Sequence, residues 1–262
     1  MSIATEITRL QTAKVDIKSA IESKGVTVPS NATLDDYDTY ISQIQTGPEY
    51  IIYTDEKHYI LGTDTSNKAN YFDLGFHWKN TLRIEGKIWY NFGEAWRRFI
   101  AIGDKNSDSW NSSLQIVSGS TTGCSVILNG SNIGINNCFK NTAWNRFSIG
   151  QRGDSKFSFW TQNQDHDWNQ YYNGNMQSQI ANTNLMLFQG YENSSDTVWQ
   201  LSHLQVFDAP NTSTWPTTLI HEYWPAIRTS DKQVGLWDGV TNTFIAPTIN
   251  GNGHIFIWEH LS

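Results

Sequence analysis

The chain has 262 residues, enough to bury one sandwich-sized core and carry a small accessory segment besides. Only 16% of residues are charged and the formal net charge is −7, yet mean hydropathy is −0.48, so Asn, Ser, Thr and Gln carry the surface polarity. An acidic balance with no Lys/Arg cluster excludes a nucleic-acid surface. No stretch approaches the ~20 apolar residues of a membrane span. The N-terminus has no apolar signal core, so the product is expected to be made in the cytosol and to leave it by lysis if at all.

Residues 1–46 differ in kind from the remainder, with no Trp or Phe and a single glycine, Gly25. Ile3, Ile7, Leu10, Ile17 and Ile21 follow a heptad seam interrupted by Lys14. Isoleucine at both seam positions favours three or more strands, and one polar seam residue is a device for fixing register. Gly25 follows Lys24 as a helix-ending glycine. Thr33, with Asp36 three residues on, is an N-cap with an acidic partner, and Leu34, Tyr37, Ile41 and Ile44 give a second short amphipathic helix. Gly47-Pro48 closes the segment. Two helices of this size cannot bury their apolar stripes alone, so they pack on the following domain, on copies of themselves, or on a host particle.

From Tyr50 the pattern is strand after strand: 50–54, 82–90, 98–102, 113–117, 124–128, 133–136, 146–149 and 156–160. Turn residues separate them, and Asn129-Gly130 is a hairpin signal. Cys124 and Cys138 flank that hairpin as buried, reduced thiols of a cytosolic product. The Asn-, Gln- and Tyr-rich run from Gln162 to Gln179 lacks strand alternation and is expected as a surface loop. Further on, Leu185 and Leu187, Trp199 and Leu201, and Leu204 and Val206 each place two side chains on one pleat face. The phase slips at Ser202-His203, as at a β-bulge or a strand bending between sheets. Asp238-Gly239 before Thr243-Phe244-Ile245 reads as another hairpin. Many short strands without intervening helices mean a sandwich or barrel.

The segments LMLFQGYENS, WQLSHLQVFD and IHEYWPAIRTSDKQVGLWDGVTNTF (within residues 185–244) resemble the end of the concanavalin A-like, or laminin G-like, jelly-roll domains of bacteriophage fibre proteins. Residues 7–46 are similar to the N-terminal helical attachment module of phage fibre and tail proteins. The resemblance implies a mainly β chain: an antiparallel jelly-roll β-sandwich over residues 48–262, preceded by a helical hairpin or coiled-coil module over residues 1–47. It also implies a structural protein of the virion, a fibre or appendage of tail or head.

The residues carry no catalytic constellation. Glycan hydrolysis needs two carboxylates aimed into one cleft about 5–5.5 Å apart in retaining enzymes, whereas Glu85, Glu94, Glu192, Glu222 and Glu259 are solitary. No Cys-x-x-Cys or His-x-x-x-His occurs, so neither a metal site nor a cofactor is expected. The weak exception is Ca²⁺ on Asp165, Asp167 and Asn169. A sugar site needs a flat aromatic face together with amide and carboxylate partners. Trp160, Asp165, Asp167, Trp168, Tyr171, Tyr172 and Asn175 offer that mix most densely, with Trp110 and Asn111 second. The plainer alternative is that Trp168 and Tyr171 only pin a loop to the sandwich.

The expectation is therefore a non-enzymatic virion protein whose sandwich adheres to host surface glycans. Its helices would form a homo-oligomer, a trimer by preference, or dock on other virion proteins. The alternatives are an architectural decoration protein that binds no glycan and, from another class, a glycan-degrading enzyme on the same fold.

Overall fold

The computed structural model describes residues 2–44, 48–63, 71–90, 98–102, 114–118, 123–128, 131–136, 138–152, 156–175, 184–187, 199–249 and 254–259. It divides into two compact units: Met1–Ile51 with Thr229–Asp231, and Ile52–Arg228 with Lys232–Ser262.

In the first unit, α1 (Ile3–Glu22) is capped by Ser2, whose hydroxyl accepts from the Thr5 amide at 3.2 Å. The helix ends ahead of Gly25, which takes φ +84°, the left-handed conformation expected of a helix-ending glycine. The cap at Thr33 forms as expected, with the Asp36 carboxylate accepting from the Thr33 amide and hydroxyl at 2.7 Å. The helix it starts is shorter than the apolar pattern suggests: a single 3₁₀ turn, Leu34–Asp36, and then α2 (Tyr37–Ser42). Ile21, Val28, Ala32 and Tyr37 form a small core of their own. The Tyr37 hydroxyl donates to the Lys14 carbonyl at 3.3 Å and ties α2 to α1. Ile21 is therefore buried within its own chain, at 2% exposure, while Ile3, Ile7, Leu10 and Ile17 stand at 81%, 51%, 47% and 40%.

The remaining elements are all strands. In chain order they are β1 (Tyr50–Ile52), β2 (His58–Thr63), β3 (Phe72–His77), β4 (Leu82–Tyr90), β5 (Arg98–Ile102) and β6 (Leu114–Ser118). Next come β7 (Gly123–Leu128), β8 (Ser131–Asn136), β9 (Ala143–Arg152), β10 (Lys156–Asn163), β11 (His166–Asn175) and β12 (Asn184–Leu187). The last are β13 (Trp199–Asp208), β14 (Thr218–Arg228), β15 (Val234–Asp238), β16 (Thr243–Ile245) and β17 (His254–Glu259). A large sheet runs β11-β10-β9-β4-β13-β14-β15-β16, with β2 also on β13 and β17 on β2; a second runs β3-β12-β5-β6-β7-β8. Pairing is antiparallel throughout the second unit. The expected jelly-roll-type sandwich behind a short helical segment is what forms.

The sheets meet across one continuous core. Ile84, Ile88, Phe147, Ile149, Phe157, Phe159, Leu204 and Val206 of the large sheet pack against Phe72, Leu74, Ile116, Val126, Leu185 and Leu187 of the other. The phase slip at Ser202 is a bulge within one sheet: Leu201 pairs with Ile88 and His203 with Lys87, so Ser202 is the extra residue. Past it the strand gains β14 as a neighbour, Leu204 pairing with Tyr223. The Asp238-Gly239 hairpin forms with Asp238 opposite Thr243, and Asn242 takes φ 55° in the loop. Cys138 is a buried thiol directed at the Ile135 carbonyl at 3.6 Å. The Cys124 side chain, the Asn129-Gly130 turn, and Trp110 and Asn111 lie outside the described residues.

One expectation is overturned. Most of the run Gln162–Gln179 is not a loop: His166–Asn175 is β11, an edge strand joined to β10 by a two-residue turn, with Asn163 opposite His166. An edge strand needs only one paired side, and β10 supplies it; most of β11's side chains are exposed, so aliphatic alternation is absent. His58–Thr63, Phe72–His77 and His254–Glu259 are further strands that the pattern did not reveal.

Phe147 is fully buried where β9 faces the second sheet, so Phe147→Ala is expected to cost about 3–5 kcal/mol in chemical denaturation. Val240→Ala, at an exposed turn, is expected to stay within about 0.5 kcal/mol by the same measurement.

Candidate functional site

Because side chains alternate across a pleat, the residues between the core positions of the large sheet share its outer face. Strand register sets them in rows. Gln205, Glu85, Ser148, Trp160 and Gln170 are successive cross-strand partners, and so are Phe207, Arg83, Gly150, Ser158 and Asn173. On the other side of the first row run His203, Lys87, Arg146 and Gln162. Over the Gly150 row hangs Trp215, from the connection between β13 and β14. A Cβ on Gly150 would lie 2.5 Å from the Trp215 ring, so the glycine is the seat on which the indole rests.

These rows and Trp215 enclose a groove of about 610 Å³, lined by Arg83, Glu85, Ser148, Lys156, Phe157, Ser158, Trp160, Trp168, Gln170, Asn173 and Trp215. Arg83 and Glu85 form an ion pair within it, and Lys156 stands at its edge. The Arg83 guanidinium bonds Glu85, donates from Nε to the Pro216 carbonyl at 2.9 Å, and lies over the Phe207 ring at 4.0 Å. Burial pushes Arg83 down to about 10, which still leaves it cationic at neutral pH. Ser158 is 6% exposed, and its hydroxyl has no hydrogen-bond partner among the described residues.

Beyond Glu85 and Trp168 lies a pit of about 20 Å³, lined also by Gly86, Arg146, Phe147, His203 and Gln205. A polar network surrounds it. Glu56 receives Arg146 Nη2 at 2.7 Å and Lys87 Nζ at 3.1 Å. Burial pushes the Glu56 carboxyl up, but Lys87, Arg146 and His203 outweigh that and hold it below its ordinary range. His203 stacks on Trp224 with ring centroids 3.7 Å apart, and its Nε2 lies 3.1 Å from Glu222, which also accepts from Gln205 at 2.9 Å. For His203 burial dominates over the two glutamates and lowers its pKa, favouring the neutral ring.

The sequence-derived candidates separate in three dimensions. Trp160 and Trp168 line the groove. Asp165 is paired with Lys140 at 2.6 Å, and Asp167 accepts from Gln162 at 2.9 Å and from the Trp168 amide at 2.8 Å. Tyr171 and Tyr172 turn the other way and pack against the core, because a bulge inserts one extra residue, Tyr171, between Gln170, opposite Trp160, and Tyr172, opposite Phe159. Asn175 pairs with Lys156 at the end of β11, and its side chain lies outside the described residues. No cluster of three His, Cys, Asp or Glu suited to a metal ion occurs among the described residues. Arg83, Glu85, Ser148, Ser158, Gln170, Asn173 and Trp215 are groove residues that sequence reasoning did not single out. The alternation of Arg83 and Glu85 between Leu82, Ile84 and Ile88 was the available signal for two of them.

The chain is thus an antiparallel β-sandwich with a tryptophan-walled groove on the outer face of its larger sheet. No protein-family model and no curated protein matches the sequence. Among solved structures it is similar to a native heptameric SAP-like pentraxin from Limulus polyphemus, at TM-score 0.43 and 15% identity over 62% of this chain and 80% of that one. It is also similar to sheep galectin-11 in complex with glycerol, at TM-score 0.33 and 5% identity, over 55% of this chain and 99% of that one. A third likeness, at TM-score 0.37 and 11% identity, is to Scytalido-glutamic peptidase, over 71% of this chain and 99% of that one.

His203 binds a proton less readily in the folded chain than in the unfolded one, so folding stability falls as pH drops below the ordinary 6.5 and stops falling for this group once its lowered folded value is passed. Glu56 and Asp238, both held below their ordinary 4.5 and 3.8, add losses only at more acid pH. Thermal melts are expected to show a lower Tm at pH 5 than at pH 7, and His203→Gln is expected to flatten that interval.

Proposed function

We propose that the chain is a non-catalytic glycan-binding module and that its outer-face groove is the binding site. The observation that carries this reading is the convergence of three indoles, Trp160, Trp168 and Trp215, around Ser158, Gln170, Asn173 and a self-neutralised Arg83–Glu85 pair. Indole faces suit the apolar side of a pyranose, and amides and hydroxyls suit its oxygens. The cavity volume lies within the range of small-ligand sites. Glu85 is the one carboxylate among the described lining residues, and Arg83 holds it. That arrangement favours binding over hydrolysis, which uses two carboxylates.

The chain is further proposed to be a virion fibre or appendage protein, released by host lysis, whose first unit assembles copies as a trimer or docks on other virion proteins. Supporting this are Ile3, Ile7, Leu10 and Ile17, which follow the heptad spacing and stay exposed in a single chain. Assembly would raise a weak single-site affinity through effective concentration.

On a glycan array the protein is expected to retain at least one neutral glycan class. Calorimetry should show Trp160→Ala and Trp215→Ala weakening that glycan about tenfold or more, since stacking contributes about 0.5–1.5 kcal/mol beyond the buried area. An empty array would sink the adhesion reading and favour the decoration role; release of reducing sugar would install the enzyme. In light scattering the full chain is expected at three times its monomer mass, with Ile7→Asp and Leu10→Asp returning it to one.

A further inference from the structure

The groove does not end at Trp168. Glu85 and Trp168 border both the large groove and the small pit, so the two adjoin. Together they cross three rows of the sheet, those of Arg83, Glu85 and Lys87 on β4, with Trp215 over the first and Arg146 and His203 in the third. Four residues of strand cover roughly 13 Å, a span longer than one pyranose ring. Three indoles at separate places also exceed what one ring, with two faces, can engage.

The pit has the capacity of a single oxygen, since a water needs about 10–15 Å³ by this measure and the pit offers about 20 Å³. Its polar lining is mixed. Arg146 and Gln205 present donors, Glu85 presents an acceptor, and His203, at 8% exposure, forms the wall. Around it Arg83, Lys87 and Arg146 are matched by Glu85, Glu56 and Glu222, which leaves no surplus charge at the pit to select an ionic group. A hydroxyl, both donor and acceptor, matches this lining; a carboxylate or an ammonium does not.

We infer that the ligand is a linear oligosaccharide of at least two units, one held against Trp160 and Trp215, the next crossing Trp168 and placing a hydroxyl in the pit formed by Glu85, Arg146, His203 and Gln205. This rests on the glycan reading above and adds the length of the ligand and the place of its second unit.

Calorimetry of the full chain with glucose, galactose and N-acetylglucosamine, and with a linear disaccharide and tetrasaccharide of each, tests it. For the sugar that binds, the disaccharide is expected to bind tenfold or more tightly than the monosaccharide. In Gln205→Ala that ratio is expected to fall to within twofold of one. Indole N–H signals in NMR guard against a misfolded variant: in the wild type, the tetrasaccharide is expected to shift those of Trp168 and Trp215 together. Binding with no gain from chain length overturns the inference and leaves the glycan site standing. A gain that persists in Gln205→Ala overturns the second subsite, and a protein that binds none of these sugars overturns both readings.

Discussion

The two-residue pleat of β4, β9 and β10 is the constraint on which both the core and the groove depend. Ile84, Ile88, Phe147, Ile149, Phe157 and Phe159 leave water on one side, and Arg83, Glu85, Ser148, Ser158 and Trp160 are turned to the other by the same geometry. A slip of one residue would exchange the two sets. Burying one large apolar side chain contributes about 1.5–3 kcal/mol, so six of them fix the register far more firmly than any contact on the outer face could. The groove is held in shape from the core side of the sheet, and of the six only Phe157 also lines it.

Two bulges adjust this lattice where strict alternation would fail. At Ser202 the extra residue lets Leu201 and Leu204, three apart in sequence, both be fully buried while His203 faces outward. In β11 the extra residue sends Tyr171 and Tyr172 together to the core side and keeps Gln170 and Asn173 on the groove side. A bulge thus turns an unfavourable sequence phase into a chosen side-chain direction.

The outer face is rich in charge and nearly neutral in effect. Arg83 answers Glu85, and Lys87 and Arg146 answer Glu56. Partly buried pairs of this kind gain little stability once desolvation is counted. Their consequence here is a polar floor with fixed geometry, which suits ligands recognised by hydroxyls and ring faces.

Much of the architecture was legible in the residues because it rests on local periodicity. The alternation in 82–90 and 98–102, the phase slip at Ser202-His203, the cap at Thr33 and Asp36 and the glycine ending α1 are short-range features, and each appears where its pattern stands. The edge strand β11 escaped because its backbone partner is β10 and its side chains mostly face solvent, so no apolar rhythm is required of it. Trp160 and Trp168 could be picked out by composition, but Asp165, Tyr171 and Tyr172 share that composition and are directed elsewhere, to Lys140 and to the core. Ser158, Glu85 and Trp215 meet only because cross-strand register and one glycine seat bring positions up to 130 residues apart (Glu85 and Trp215) onto one face. The sequence alone determined the strands whose side chains alternate apolar and polar, since that follows from neighbouring residues; the edge strand β11, and which outward residues form a site, were decided by long-range pairing, which no local pattern encodes.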